Sequence, residues 1–424
     1  MSDEPTTPEA WAEAMAPHFE AASNLAPGFV PKLDPRVTMI HHGDLFAVLP
    51  TLPANSIDAC VTDGPYGIGF MGREWDTFKP GAEAERVTEN KHAASDNPNL
   101  KGRKRGPASS PSAVEYDRTL EGQRAFQAWC EQWAREVFRV LKPGGYIVSC
   151  GAPRSHHRMM SGLEDAGFVV RDCFAWLFGS GFPKNKSLGH GRGTALKPAN
   201  EPIALAWKPC EGTITANVAK WGTGGLNIND CRIGARWPAN VVMDEDGAAA
   251  LDAQTGELSS GLMRAGTERD GLGYGGGLGT TVASDTHADS GGASRFYYVA
   301  KPSRADRDFG CYGLAPKTAG EATDRKEGSA GLNNPRAGAG RTGGARNFHP
   351  TVKPVDLMRW LVRLVTPPGG IVLDPFTGSG TTGIACRYEN RPFVGVEREA
   401  EYIEIAERRI AAVDAVQVGL FEEE

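Results

Sequence analysis

Two short segments carry residues that could do chemistry together. The first is L-D-P-F-T-G-S-G-T-T at 373–382, which closes an apolar strand and opens a helix. Gly378 and Gly380 let a backbone pass close to a ligand, and a helix N-terminus offers free N–H groups to a carboxylate. A second apolar strand follows and ends in V-G-V-E at 394–397. That places the Glu397 carboxylate where ribose hydroxyls are held after a glycine-rich turn. A G-x-G turn alone can be purely structural. The succession of strand, G-x-G, helix, strand and terminal glutamate is far more specific. The second segment is T-D-G-P-Y-G at 62–67, at the end of an apolar strand. An Asp-Gly at such a place is ordinarily a turn. Tyr66 and the following G-F-M-G-R-E-W-D at 69–76 make that reading costly. They would expose an aromatic, apolar loop at the C-terminal edge of a parallel sheet, where ligands bind.

The elements that must position these segments follow from the hydrophobic pattern. Strands are expected at 37–44, 56–63, 146–150, 168–175, 371–374 and 393–397. Helices are expected from Arg124 to Leu141, over 155–166, from Pro354 to Val365, after Gly380, and from Ala400 to Val413. The helix at 124–141 has apolar residues at helical spacing, with Trp129 and Trp133 read as core, and it stops at K-P-G-G. Strand–helix alternation at both ends of the chain implies a parallel α/β sheet. Between about 211 and 345 the alternation fades into glycine-rich and polar stretches with isolated apolar patches at 228–233, 237–243 and 296–299. This region is expected to form a smaller module, mobile at 262–290 and 316–345. Residues 80–118 read as a long polar loop.

Composition narrows the function classes. The chain has 424 residues, 40% hydrophobic and 23% charged, enough for a sizeable core. A net charge of −6 argues against a histone-like nonspecific binder, yet DNA needs only a local positive face. Basic residues cluster at 101–105 and again at Arg154, His156, His157 and Arg158. The first cluster is either such a face or a solvated loop, and the two histidines read as surface residues. The eight cysteines form no C-x-x-C pair and read as reduced core residues, with no zinc site. Neither a membrane span nor a secretory signal is legible, so a cytoplasmic location is expected.

T-D-G-P-Y-G resembles the D-P-P-Y motif of the DNA amino-methyltransferases. The likeness extends to H-H-G-D at 41–44, L-K-P-G-G-Y at 141–146 and R-N-F-H-P-T-V-K-P at 346–354. It covers roughly 37–210 and 346–412, with the tetrad about three hundred residues before the glycine-rich loop. That order resembles the β-class enzymes. F-G-S-G-F-P-K at 178–184 and G-L-N-I-N-D-C-R-I at 225–233 are similar to its phage-borne branch. The resemblance implies a Rossmann-like α/β sheet that binds S-adenosylmethionine (AdoMet). Its motif order is circularly permuted, and a target-recognition region is inserted.

The organisation expected on this basis is an acidic extension over 1–36, a catalytic half over 37–210, and target recognition over 211–345. An AdoMet-binding half over 346–413 and a flexible tail over 414–424 complete it. The reaction implied is methyl transfer to adenine N6 in duplex DNA after base flipping, without a metal. Cytosine N4 is the alternative, disfavoured because the tetrad is led by aspartate. An RNA or protein methyltransferase is disfavoured by motif order, and an inactive DNA-binding module by the intact Asp63, Tyr66, Gly378 and Gly380. By resemblance, Asp63 and the carbonyl of Gly64 accept the two amine hydrogens, Pro65 completes the tetrad and Tyr66 stacks on the base. Gly64 departs from the family's usual proline and loses its fixed φ. Asp44, Phe376, Gly378, Gly380 and Glu397 are expected at AdoMet. Asp374 either contacts the cofactor or caps the next turn. Thr351 and Lys353 either lie near its methionine end or form a plain turn leading into a helix. A homodimer fits the resemblance. The tail Q-V-G-L-F at 417–421 resembles the short peptides that bind sliding clamps, or else Leu420 and Phe421 pack back on the domain.

Overall fold

The computed structural model describes residues 36–68, 119–181, 188–267, 288–300, 304–318 and 344–419, with Asp34, Asp76, Phe78, Asp285 and Glu321. The acidic extension, the 80–118 loop with its basic cluster, the glycine-rich stretch at 271–279, most of 316–345 and Leu420–Glu424 lie outside the described residues.

The chain begins with β1 (Thr38–His42), the single-turn α1 (Leu45–Val48) and β2 (Ile57–Thr62). Next come α2 (Leu120–Val140), β3 (Leu141–Cys150), α3 (His156–Asp165), β4 (Val169–Leu177) and β5 (Asn200–Trp207). The middle of the chain gives α4 (Ile214–Trp221), β6 (Val241–Asp244), α5 (Glu245–Thr255), a small hairpin of β7 (Leu258–Ser260) and β8 (Asp289–Gly291), then β9 (Tyr298–Ala300) and α6 (Arg304–Asp308). The last part is α7 (Val355–Val365), β10 (Val372–Asp374), α8 (Thr381–Tyr388), β11 (Phe393–Glu397) and α9 (Ala400–Gly419). The last helix passes Val413, its expected end, and takes Gln417 into its backbone. Among the described residues no helix is long and apolar enough to cross a membrane.

The expected Rossmann-like sheet is present. Its order among the described residues is β1-β11-β10-β2-β3-β5-β4-β6-β9. All neighbours run parallel except at β5, which is antiparallel to both β3 and β4. Helices cover both faces. Phe126, Cys130, Trp133, Val137 and Val140 of α2 pack with Met159 and Leu163 of α3 on one face. On the other, eight of the eleven residues of α7 are buried, joined by Ile384 and Ile410. A strand with apolar groups on both faces has no solvent side, hence the unbroken burial of β2.

The expectation that 211–345 forms a smaller module does not hold for its described residues. β6 and β9 extend the central sheet itself, β6 pairing with β4 through Ala175–Val241 to Leu177–Met243. Asn227, inside G-L-N-I-N-D-C-R-I, donates from Nδ2 to the carbonyls of Arg363 (2.8 Å) and Thr366 (2.6 Å), satisfying orphan acceptors at the end of α7. Cys231 is buried in the core cluster that contains α7. The isolated apolar patches are two short strands at one side of the sheet and an anchoring turn of the main domain.

Candidate active site

The chain leaves β10 toward β11 on one side of the sheet, whereas it leaves β2 toward β3 on the other. The crevice between their C-terminal ends is therefore a topological switch point, the favoured ligand site of an open parallel sheet. A cavity of about 490 Å³ opens there. This lies within the range of about 300–1,000 Å³ usual for ligand sites. Asp44, Asp63, Gly64, Pro65, Tyr66, Thr351, Lys353, Phe376, Gly378 and Glu397 all line it, so the structure gathers ten of the twelve residues singled out from the sequence.

On the β2 side, the Tyr66 hydroxyl donates to Asp63 Oδ1 (2.8 Å). Lys353 Nζ donates to the Tyr66 hydroxyl (2.7 Å) and lies 2.9 Å from Asp63 Oδ1 and 3.1 Å from Glu201 Oε2. Burial would depress the Lys353 ammonium, but Asp63 and Glu201 outweigh it and hold the group above its ordinary range. Burial, then the negative charge of Asp63 and Glu201, pushes the Tyr66 phenol well up. The turn is fixed from below, because Asp76 accepts from Gly67 N (2.6 Å) and Ile68 N (3.1 Å) and Ser155 donates to the Tyr66 carbonyl. Lys353 is thus drawn into the Asp63 cluster, whichever reading of its role is taken.

A Cβ at Gly64 would lie 2.7 Å from Cδ2 of Phe376. The phenyl ring occupies the space a proline would need, and it packs in turn on Trp129 and Trp133, each 5.5 Å between ring centres. Trp133 is core, as expected, whereas Trp129 is only partly buried and lines the cavity.

On the β10 side, Gly378 has φ +52° and its N–H donates to Glu397 Oε2 (2.7 Å), while Glu397 Oε1 accepts from Glu399 N (2.9 Å). Burial raises the Glu397 carboxyl, and these backbone donors oppose the shift. Asp44 caps α1 by accepting from Phe46 N (2.8 Å) and borders the cavity beside Gly43.

Two of the twelve do not line the cavity, although Asp374 borders a small adjoining pocket of about 20 Å³ that shares Asp63, Lys353 and Gly378 with it. Asp374 is buried, and its carboxylate accepts from Thr62 Oγ1 (2.7 Å), Thr382 Oγ1 (2.6 Å) and Phe376 N (3.1 Å). The bonds from Phe376 and Thr382 fit the turn-capping reading, the one from Thr62 ties β10 to β2, and burial pushes the Asp374 carboxyl up to about 6. Gly380 has φ +79° and sits against α9, where a Cβ would meet that of Ala406 at 2.8 Å. Its freedom serves the packing of two helices.

Sequence reading missed Glu201. It stands at the start of β5, a strand not foreseen after the turn at 178–184. The signal was an acidic residue leading the apolar run P-I-A-L-A-W at 202–207. His349 stands within R-N-F-H-P-T-V-K-P, where its neighbours give it no legible role. It lines the cavity with Nδ1 on the Thr351 carbonyl, its ring edge-on to Tyr402 at 4.6 Å, and burial lowers it to about 4.

The model of a DNA methylase family, that of the N6 and N4 amino-methyltransferases, matches residues 57–408. The type II methyltransferase M.HindIII of Haemophilus influenzae is 24% identical over 393 residues, spanning 88% of this chain and 95% of that protein. The type II methyltransferase M2.DpnII of Streptococcus pneumoniae is 44% identical over 64 residues, 15% of this chain and 24% of its own. Among solved structures, the PvuII DNA methyltransferase, described as cytosine-N4-specific, aligns over 88% of this chain and 86% of its own at 16% identity and TM-score 0.45. M1.HpyAVI aligns over 88% and 98% at 16% identity and TM-score 0.40.

Proposed function

The chain belongs to the DNA methylase family of the N6 and N4 amino-methyltransferases, and on that premise we propose that it methylates the N6 amine of adenine in duplex DNA, with AdoMet as cofactor. The observation that carries the reading is the state of Asp63. Its Oδ1 takes a hydrogen bond from Tyr66 and an ion pair from Lys353, whereas Oδ2 takes no hydrogen bond among the described residues and the side chain borders the cavity.

The chemistry needs such an oxygen. The lone pair of an exocyclic amine is delocalised into its ring, so the nitrogen is a poor nucleophile. Two acceptors that draw its hydrogens out of the ring plane return the lone pair to nitrogen. Asp63 Oδ2 and the Gly64 carbonyl suit those roles, and Tyr66 offers a ring beside them. The base reaches this depth only by leaving the duplex, at a cost of a few kcal/mol. On the facing wall, Glu397, the Gly378 turn, Phe376 and Asp44 fit AdoMet: a half-buried carboxylate for hydroxyls, a left-handed glycine without a side chain in the way, and an aromatic face. When bound, AdoMet supplies the electrophilic methyl group. The protein's share is to hold amine and methyl in line, so catalysis is positional and electrostatic. The aspartate leading the tetrad favours adenine over cytosine.

The test is incubation of duplex DNA with methyl-labelled AdoMet, followed by nucleoside analysis. N6-methyladenine is expected. N4-methylcytosine would move the target to cytosine, and label in RNA or protein alone would overturn the reading. Asp63→Ala should abolish transfer while AdoMet still binds, since Asp63 stands on the base side. Loss of AdoMet binding by a folded Asp63→Ala protein would misplace that residue.

A further inference from the structure

Glu201 reaches the cavity by topology. Because β5 runs against its neighbours, its first residues, Asn200 and Glu201, lie at the same sheet edge as the last residues of β3 and β4. Both line the cavity. An ammonium has three N–H donors, and here three oxygens lie within its reach: the Tyr66 hydroxyl, hydrogen-bonded at 2.7 Å, and Asp63 Oδ1 and Glu201 Oε2, ion-paired at 2.9 Å and 3.1 Å. The lysine side chain is 8% exposed, Asp63 17% and Glu201 26%. A donor that loses its partner at that depth must find another in the protein, because water is scarce and an unpaired buried donor is costly. Tyr66 has a single hydroxyl hydrogen, which goes to Asp63 Oδ1 at 2.8 Å in preference to Glu201 Oε2 at 3.2 Å. The one remaining carboxylate oxygen in the cluster, besides Oε1 of Glu201 itself, is Oδ2 of Asp63.

We infer that Glu201 is a positioning residue for methyl transfer, which takes the third N–H of Lys353 and so keeps the ammonium from closing on both oxygens of Asp63. With Glu201 in place, Lys353 and Tyr66 fix Asp63 through Oδ1 and leave Oδ2 open to the target amine. Without it, the third N–H turns to Oδ2, and the acceptor that the base requires is occupied. Glu201 acts on Asp63 through Lys353. The inference rests on the methyl-transfer reading above, and the experiment keeps the two apart.

Single-turnover transfer to duplex DNA is measured at saturating AdoMet and DNA for the full chain, with AdoMet affinity by calorimetry. Transfer by the unmodified protein establishes the underlying reading, and its absence removes the reading and the inference together. Glu201→Ala is expected to slow transfer by up to about 100-fold, the scale of a displaced catalytic group, with the AdoMet dissociation constant unchanged. Glu201→Gln retains a side-chain oxygen for the lysine and should recover at least about tenfold of that loss. Glu201→Asp keeps the charge but withdraws it by one methylene, so it should resemble alanine; it stands in if Glu201→Ala does not fold. A normal rate in Glu201→Ala, or a glutamine variant as slow as alanine, overturns the inference. So does an aspartate variant as fast as the unmodified protein, or a loss of AdoMet affinity equal to the loss of rate.

Discussion

At the residue scale the two halves of the site differ in how their carboxylates are occupied. Asp63 has one oxygen held and one open, whereas each oxygen of Glu397 already accepts a backbone N–H, from Gly378 and from Glu399. A carboxylate oxygen has two lone pairs, so Glu397 can still accept from ribose hydroxyls. Glu397→Ala should weaken AdoMet by about 1.5–3 kcal/mol, the worth of lost charge-assisted bonds. The same change frees the Gly378 turn and should lower the melting temperature. An unchanged calorimetric dissociation constant would refute the ribose role. The motif signal pointed to Asp63 and Glu397 because each ends an apolar strand. Glu201 also stands at a strand terminus, but on a strand whose reversed direction no local pattern announces.

At the element scale, the glycine-rich turn couples two tasks. Gly378 faces the cavity, while Gly380 lets α8 meet α9. Gly380→Ala places a side chain at φ +79° and a Cβ 2.9 Å from the Ala406 Cα, so it should destabilise by about 2–4 kcal/mol in urea unfolding. AdoMet affinity of the folded protein should hardly change, and a selective loss of affinity at full stability would assign Gly380 to the ligand after all. Beneath the same turn, two buried groups oppose each other in acid. Burial raises Asp374 from 3.8 to about 6, so its contribution to stability is greatest below the unfolded value and is lost as pH rises through about 6. Burial lowers His349 from 6.5 to about 4, so its contribution is present above 6.5 and lost as pH falls through about 4. Between about pH 4 and 6 the two slopes cancel. Asp374→Asn removes one of them, and stability should then climb with pH by up to about 1.4 kcal/mol per unit in that window. Urea midpoints across pH 4–7 check this, and an unaltered slope would show that Asp374 is not held protonated there.

At the scale of the whole molecule, the permuted order means that the walls of one cavity come from opposite ends of the chain. β2 and β10 are hydrogen-bonded neighbours through Val372–Ala59 and Leu373–Cys60. Ligand bound between them must therefore act on both. At a concentration 100 times its dissociation constant, AdoMet should raise the unfolding free energy by about 2.7 kcal/mol. Amide exchange should slow together at 63–67, 375–380 and 397–399. Protection confined to the last two segments would mean that the halves respond separately.

Local pattern along the chain is enough to set the strands of the two half-sites, the glycine-rich turn, the tetrad and their permuted order. These are local properties: apolar runs set strands, glycine sets turns, and a carboxylate at a strand end marks the functional edge. It did not determine that 237–243 and 296–300 would continue the main sheet, because three- and four-residue strands carry too little periodicity to be told from loops. Nor could it separate Gly378 from Gly380, whose types and spacing are equivalent until α9 packs on one of them. Folding alone brings Glu201, Lys353 and Asp63 within one ion-paired cluster. The reason is that a charge network depends on strand direction and on contacts across three separate segments, and neither is encoded in the neighbourhood of any one residue.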